Sequence, residues 1–252
     1  YHFFNPRAGV SYSPGKRHNF YFSFAVAQKE PTRSDFTDRY MFSGDDSYPS
    51  SEKLYDYELG YTYTSPRFSA GVNLYYMKYK DQLVPTGMVN DDSNALNTNV
   101  PDSYRRGVEL SASWRATGWF TVGANATFSQ NRIENYVDAL KDSPTYGKEL
   151  GDMTIAYSPD VIANAFLNFH HRGFEAVFHT QHVGKQYFTN NENDALSLDA
   201  YCVTNLNLAY TFRTRSARSV RLGLLINNLF NAEYESNGYG YSYMDTWSGP
   251  AP

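Results

Sequence analysis

The sequence predicts an all-β protein, a segment of a transmembrane antiparallel β-barrel with about ten strands. Apolar and polar residues alternate at a period of two in ten separate runs, which indicates strands with one apolar face. The connections between these runs alternate between short and long, as in outer-membrane barrels, which have short periplasmic turns and long outer loops. Aromatic residues make up 17% of the chain, whereas hydrophobic residues make up only 41%. Such a balance is expected when aromatic side chains lie at two membrane interfaces.

The stretch from Leu198 to Phe230 has the pattern that the rest of the chain repeats. Leu206 and Leu208 belong to its apolar series, and Asn205 and Asn207 belong to the polar series between them. After a polar connection the alternation resumes and returns along a second strand. The stretch therefore predicts a long β-hairpin, and strands of this length exceed the usual 5 to 6 residues or so.

The other strands are read off in order from the same alternation. The ten predicted strands span residues 4–12, 19–28, 55–63, 67–80, 105–114, 120–129, 161–169, 174–181, 198–212 and 220–227. Short turns are expected at 14–18, 65–66, 116–118, 170–173 and 214–219, and long outer loops at 30–52, 81–103, 133–157 and 186–197. The long segments are too polar, and too rich in Asp, Ser and Pro, to be predicted as strands.

The alternation also assigns strand residues to two faces. The residues expected to face lipid include Phe68, Val72, Leu74, Val108, Leu110, Val122, Leu206, Leu208, Leu222 and Leu224. The residues expected to line the lumen include Asn73, Glu109, Asn125, Asn205 and Asn207.

Charge and motifs exclude several classes of function. The net charge of -4 gives no indication of nucleic-acid binding. No run of about 18 apolar residues predicts a transmembrane helix, so a membrane would be crossed by strands. No GxSxG, HExxH or Gly-rich phosphate loop occurs, so neither an enzyme nor a cofactor is expected.

Four segments carry a resemblance to a known family: AVAQKEPTRSDFTD from Ala25, NLYYMKYKDQLV from Asn73, YRRGVEL from Tyr104 and INNLFNAEY from Ile226. With them the chain resembles the C-terminal half of the β-barrel of TonB-dependent outer-membrane receptors, of the kind common in Bacteroidetes-like bacteria. The resemblance implies a barrel of about 22 strands with a plug in its lumen, located in the bacterial outer membrane. Residues 1–252 then form a partial barrel from which the N-terminal plug domain and the final strand are absent.

The resemblance also implies function and partners. It implies active import of a scarce ligand with energy delivered through TonB, and a ferric siderophore-type iron complex is the first choice of cargo. Cobalamin, haem or oligosaccharide cargo stays open, as do a passive porin and an adhesive surface barrel. The expected partners are TonB, acting through the absent plug, outer-membrane lipid and lipopolysaccharide, and a small-molecule or metal-chelate cargo. A surface lipoprotein or the rest of the barrel as another chain is a further expectation, because unpaired strand edges cannot stay in lipid.

Aromatic residues of the long segments provide the first candidate ligand contacts. They are Tyr40, Phe42, Tyr48, Tyr136, Tyr187, Phe188, Tyr239, Tyr241, Tyr243 and Trp247. Tyr241 and Trp247 are the preferred candidates, because ring faces suit planar or sugar-like cargo. The alternative is that these rings coat the rim of the barrel, as aromatic residues commonly do.

Charged residues provide the other candidates. Arg33 suits anionic cargo, and the alternative is that it bonds Asp35 or Asp38 within its own loop. His179 is expected to face the lumen, where it contacts cargo or bonds the plug or water.

No metal site is predicted. Adjacent His170 and His171 are expected to be solvated turn residues, because two adjacent histidines specify zinc only weakly. The Asp pairs at 45–46 and 91–92 lack the spacing of an EF-hand, and calcium binding there stays an open alternative.

Overall fold

The computed structural model describes residues 1–37, 48–89, 95–139, 143–213 and 218–238. The strands are β1 (Arg7–Tyr12), β2 (His18–Lys29), β3 (Glu52–Thr64), β4 (Phe68–Val89), β5 (Ala95–Arg115), β6 (Phe120–Ile133), β7 (Met153–Thr154), β8 (Val161–His171), β9 (Phe174–Val183), β10 (Gln186–Tyr187), β11 (Ser197–Leu198), β12 (Tyr201–Phe212) and β13 (Val220–Ile226). A short helix, α1 (Arg33–Thr37), lies between β2 and β3, and a 3₁₀ turn spans Asp194–Leu196. Within the described residues, no helix has the length and apolar character needed to span a membrane.

Ten of the strands form one antiparallel meander in the order β1-β2-β3-β4-β5-β6-β8-β9-β12-β13. Each of these strands is hydrogen-bonded to the next along the chain. The short strand β7 extends the sheet beside β6, and β10 pairs with β11 in a separate two-stranded sheet. The predicted all-β antiparallel sheet of about ten strands is therefore confirmed.

The register places the predicted apolar and polar sets on opposite faces. Leu74 pairs with Val108, and the next residue pair along the same two strands is Asn73 with Glu109. Directly paired residues share a face, and successive residues change face. We call the face that carries Leu74 and Val108, which the sequence predicts to meet lipid, the lipid face, and the face that carries Asn73 and Glu109 the lumen face. The same rule places Leu208 on the lipid face, because it pairs with residues 176 and 224.

Aromatic residues concentrate at the two ends of the lipid face. At the loop end, the rings of Phe24, Tyr57, Tyr76 and Tyr104 form a line with successive centroid distances of 4.9, 6.4 and 6.4 Å. At the turn end, Phe169 stacks on both Trp119 and Phe120, and the centroid distances among the three rings are 4.7 to 6.2 Å. We call the first set the outer girdle and the second the inner girdle, since barrels of this type carry aromatic girdles at both membrane interfaces.

Three aromatic rings lie flat against glycines on the lumen face. The cross-strand pairs are Tyr21 with Gly60, Tyr75 with Gly107 and Phe166 with Gly123. A Cβ at Gly60 would lie 2.1 Å from Cε1 of Tyr21, and a Cβ at Gly123 would lie 2.4 Å from Cε1 of Phe166. The missing side chain therefore lets each ring cover the sheet instead of projecting into the lumen.

Replacing Gly60 by Ala is expected to lower the free energy of unfolding by about 1–3 kcal/mol, because the Tyr21 ring must leave its place. Urea titration of the full-length protein measures the change. Gly118→Ala is the matched control, since no atom lies within 4 Å of the Cβ position there. Equal urea midpoints for the two variants would contradict the packing role of Gly60.

The expected loop at 81–103 was wrong. The pairing of β4 with β5 continues from Gln82↔Val100 to Pro85↔Asn97, and the described residues of this region are strand. Asp81 has a φ of 51°, and the register shifts between Pro85 and Val89. Asp and Pro are residues that usually indicate loops in a sequence. Pro is nevertheless compatible with a strand where a bulge interrupts the pairing.

Two other expected loops contain regular structure. Residues 133–157 include β7 and an isolated bridge between Val137 and Glu149. Residues 186–197 include the β10–β11 pair and the 3₁₀ turn. The segment at 30–52 carries α1, and its residues 38–47 lie outside the described part of the chain.

The short turns lie together at the other end of the sheet. Arg172 and Gly173 both have positive φ, 48° and 87°, as a two-residue hairpin turn requires. Antiparallel pairing brings the turns at 13–17, 65–67 and 116–119 to the same end. Residues 214–217 of the fifth predicted turn lie outside the described residues.

Single-cysteine labelling tests this topology in a full-length Cys202→Ser background. A membrane-impermeant maleimide added to intact cells is expected to label Lys148→Cys, in an outer segment, and to leave Gly118→Cys unlabelled. Permeabilising the outer membrane should expose both. Labelling of Gly118→Cys in intact cells would reverse the orientation.

Candidate ligand-capture site

The outer segments share a small apolar core beyond the outer girdle. Val84, Val100, Ile133, Tyr136 and Ile155 form it, and each has an exposed fraction of 5% or less. Tyr136 was expected among the loop aromatics, and its burial gives it a packing role. We call the assembly of α1, the outer ends of β4 and β5, and the described parts of 133–157 and 186–198 the outer lobe.

Asparagine side chains join the first two outer segments. Asn97 on β5 donates to Oδ1 of Asp35 on α1 at 2.9 Å. Asn99 accepts from the backbone amide of Ser50 at 2.8 Å and donates to the carbonyl of the same residue at 3.1 Å. An asparagine side chain has both a donor and an acceptor, so it can hydrogen-bond to the amide and to the carbonyl of a residue in another segment.

Asn190 joins three outer segments at once. Its Oδ1 accepts from the backbone amide of Ala156 at 2.7 Å, and its Nδ2 donates to the carbonyl of Pro85 at 2.8 Å. The Asn190 side chain is buried, with an exposed fraction of 1%. At the end of the described chain, the hydroxyl of Tyr157 donates to the carbonyl of Gly238 at 2.9 Å. The long segments therefore converge, as the sequence predicts, into one hydrogen-bonded lobe.

The helix α1 is held by a buried carboxylate. Asp35 accepts hydrogen bonds from the amide and the hydroxyl of Thr32, both at 2.7 Å, and from Asn97. Burial alone would raise the pKa of Asp35, but the hydrogen bonds from Asn97 and Thr32 favour the charged form and lower the pKa below its ordinary value. The carboxylate of Asp35 is therefore already engaged in hydrogen bonds with Thr32 and Asn97.

Arg33 lies two residues before Asp35, on the exposed side of α1. Among the described residues no carboxylate forms an ion pair with it, and the bonds of Asp35 go to Thr32 and Asn97. Asp38, the other residue expected to bond Arg33, lies outside the described residues. Arg33 stays a predicted cargo contact.

Acid is expected to loosen α1. Because the folded pKa of Asp35 is lowered, its contribution to stability is complete above the unfolded value near pH ~3.9 and is lost as the pH falls through the folded value. Hydrogen exchange of residues 32–37 in the full-length protein, corrected for the intrinsic rate, should show extra opening at pH 3 relative to pH 6. Asp35→Asn should remove this pH response, whereas the exposed Asp199→Asn should keep it. An unchanged response in Asp35→Asn would assign the opening to another group.

Of the other predicted cargo contacts, His179 is the one within the described residues. His179 lies on the lumen face, since it pairs with Asn205 and Phe166. Tyr241 and Trp247 lie outside the described residues. The structure therefore places Arg33 in the outer lobe and His179 on the wall beneath it.

The lumen wall below the outer lobe is polar, and the residues described at its centre form no ion pair with one another. Asn73 donates to Glu109 at 3.2 Å, and Asn164 donates to Asn125 at 3.2 Å. Side-chain oxygens of residues 56, 73 and 168 are buried without a hydrogen-bond partner in the described structure. This wall can accept hydrogen bonds from a plug or a cargo. Within the described residues no group of three or more His, Cys, Asp or Glu is arranged to hold a metal.

Sequence reasoning missed the residues that join the outer segments. The partners of Asn190 are 34 and 105 residues away along the chain. A high Asn content in the long segments was visible, but nothing in the pattern distinguished joining residues from solvated ones.

Comparison with known proteins gives a consistent assignment. A family described as TonB dependent receptor-like, beta-barrel, matches residues 1–229. The ferric yersiniabactin uptake receptor FyuA from Yersinia pestis aligns with a TM-score of 0.65 and 18% identity over 93% of this chain and 33% of that one. The copper transporter OprC aligns with a TM-score of 0.66 and 18% identity over 91% of this chain and 34% of that one.

The FrpB iron transporter from Neisseria meningitidis is a third similar structure. It aligns with a TM-score of 0.62 and 21% identity over 91% of this chain and 35% of that one. The chain thus spans about a third of the length of these solved structures.

Proposed function

The chain belongs to the TonB-dependent receptor β-barrel family of the bacterial outer membrane, and from that premise we propose that it forms the cargo-capturing part of an active importer of a ferric siderophore-type iron complex. The family is one of transporters without enzymatic activity. In the proposal, the outer lobe and the upper lumen bind the complex, a plug closes the lumen below it, and TonB supplies the energy for passage.

The convergence of the outer segments is the observation that carries this proposal. Hydrogen bonds made by the side chains of Asn97, Asn99 and Asn190 hold four segments together at the loop end of the sheet. A concave, preformed region with a few converging polar groups is the usual form of a small-molecule site. An importer needs such a site on the outer side, whereas a passive pore needs an open path.

The choice of iron rests on the relatives and on Arg33. Two of the three similar structures are named for iron or ferric-siderophore uptake. An exposed guanidinium suits the carboxylates or catecholates of an anionic iron complex. Cobalamin, haem and oligosaccharide remain the alternative cargoes.

Uptake of radioactive iron tests the proposal. The full-length protein is produced in cells that lack other siderophore receptors, with and without TonB, and ferric catecholates and ferric hydroxamates are supplied separately. We expect uptake of one class that disappears without TonB. Uptake that persists without TonB would support a passive pore, and TonB-dependent uptake of cobalamin, haem or oligosaccharide alone would replace the cargo.

Equilibrium binding to the purified full-length protein tests the named contacts. Arg33→Ala, His179→Ala, Tyr241→Ala and Trp247→Ala are each compared with the unaltered protein for equilibrium binding of the accepted complex. Residues whose replacement leaves the affinity unchanged are removed from the proposed site.

A further inference from the structure

A groove on the lipid face crosses the outer girdle. It has a volume of about 650 Å³, and its lining includes Tyr76, Arg106, Val108, Phe128, Gln130 and Val161. Val108, Phe128 and Val161 form one cross-strand row on the membrane side of the groove. Tyr76, Arg106 and Gln130 form the adjacent row toward the outer loops. The groove is therefore apolar at its lower end and polar at its upper end.

Arg106 is held in position at the upper end. Its Nε and Nη2 both donate to Oε1 of Gln130, at 2.9 and 2.7 Å. Its guanidinium also lies 5.1 Å from the centroid of the Tyr104 ring. These contacts orient the planar group and leave donors of Nη1 and Nη2 for another acceptor.

The neighbouring cations differ from Arg106 in their partners. Lys78 pairs with Asp102 at 3.1 Å and with Glu134, Lys80 pairs with Asp102, and Arg132 pairs with Glu192 at 2.9 Å. Within the described residues no carboxylate lies within 4.0 Å of a charged nitrogen of Arg106. Asp160 also lines the groove, and it forms no ion pair with Arg106.

A cation exposed on the lipid face at the level of the outer girdle lies where lipid headgroups lie. We propose that this groove binds a phosphate-bearing lipid of the outer leaflet, with the phosphate on Arg106 and an acyl chain along Val108, Phe128 and Val161. The guanidinium suits phosphate because it can donate two parallel hydrogen bonds. The apolar row below supplies the surface on which a chain is buried. This proposal is independent of the cargo that the receptor imports.

A second cation of the lipid face, Lys53, lies four residues nearer the outer loops than Tyr57, the β3 residue in the row of Arg106. It lies directly opposite Lys80 on the lipid face, and its Nζ lies 4.9 Å from the centroid of the Tyr55 ring without a carboxylate partner in the described residues. Like charges placed opposite each other in a sheet repel. Lys80 is paired with Asp102, so Lys53 is the cation of these two that has no carboxylate partner among the described residues, and the proposed phosphate site itself rests on Arg106.

Native mass spectrometry of the delipidated full-length protein in detergent tests the proposal. Lipid A with its phosphates, the same lipid with the phosphates removed, and inorganic phosphate alone are the three probes. We expect the phosphorylated lipid to bind at least about tenfold more tightly than the dephosphorylated one. Arg106→Gln should abolish this preference, and Arg106→Lys should retain part of it.

Two further variants separate the groove from general charge effects. Arg115→Gln removes an exposed cation from the opposite end of the same strand and should leave the preference unchanged. Phe128→Ala should weaken both lipid forms alike, because it shortens the apolar row. An Arg106→Gln variant that keeps the preference, or inorganic phosphate that binds as tightly as the lipid, would overturn the proposal.

Discussion

Replacing Leu110 by Arg is expected to lower the free energy of unfolding by about 2–4 kcal/mol. Leu110 lies on the lipid face of β5, midway between Arg106 at the outer girdle and Trp114 near the turns, and 44% of its side chain is exposed. In the membrane that exposed surface contacts lipid. A charge placed there has no water and no partner, so the penalty is close to that of the bilayer midplane.

Urea titration of the full-length protein in lipid vesicles measures the effect of Leu110→Arg. Ser111→Arg is the matched control, because Ser111 is the next residue, is also exposed, and lies on the lumen face. The control should change the free energy of unfolding by less than about 1 kcal/mol. An equal decrease in the free energy of unfolding in the two variants would mean that both faces of the sheet meet the same environment. That result would contradict the assignment of this sheet to a membrane barrel.

Replacing Asn190 by Ala is expected to open the outer lobe while leaving the membrane strands paired. The change removes the acceptor for the amide of Ala156 and the donor for the carbonyl of Pro85. Each buried polar group that loses its partner costs about 1–3 kcal/mol, so the loss of two partners should lower the local stability by about 2–6 kcal/mol. The cargo affinity should fall with it if the lobe is the capture site.

Hydrogen exchange of residues 153–158 and 186–198 reports the effect of Asn190→Ala. Asn193→Ala is the control, since that exposed side chain only accepts from Ala195 within its own turn. The expected result is faster exchange in both segments of Asn190→Ala and unchanged exchange at residues 153–158 in the control. Unchanged exchange at residues 153–158 would mean that Asn190 does not hold these segments together.

The membrane part of the fold could be predicted because lipid imposes a simple rule. In the β5–β6 and β12–β13 hairpins, successive side chains point alternately to lipid and to the lumen. Apolar and polar residues therefore alternate in the sequence with a period of two. The outer continuation of β4 and β5 obeys no such rule. Water and neighbouring segments cover both of its faces, so residues such as Asp81 and Pro85 are tolerated and the strand pattern is lost.

The candidate site could be predicted only in outline. Convergence of the long segments followed from the alternation of short and long connections, and the lumen position of His179 followed from the period of its strand. The partners of Asp35 and Asn190 did not follow, because they come from segments far away in sequence. Arg33 illustrates the limit: its exposure is visible in the structure, and its cargo contact remains a prediction.

The asparagine contacts of the outer lobe have a consequence for the medium in which the protein works. The bonds from Asn99 to Ser50 and from Asn190 to Pro85 and Ala156 join uncharged groups. Dissolved ions screen charges over a Debye length of about 10 Å at 0.1 M salt, but they have little effect on neutral amide pairs. These amide contacts should therefore persist alike in dilute and in saline surroundings, and salt should act on the mouth through its charged contacts, such as the ion pair between Arg132 and Glu192.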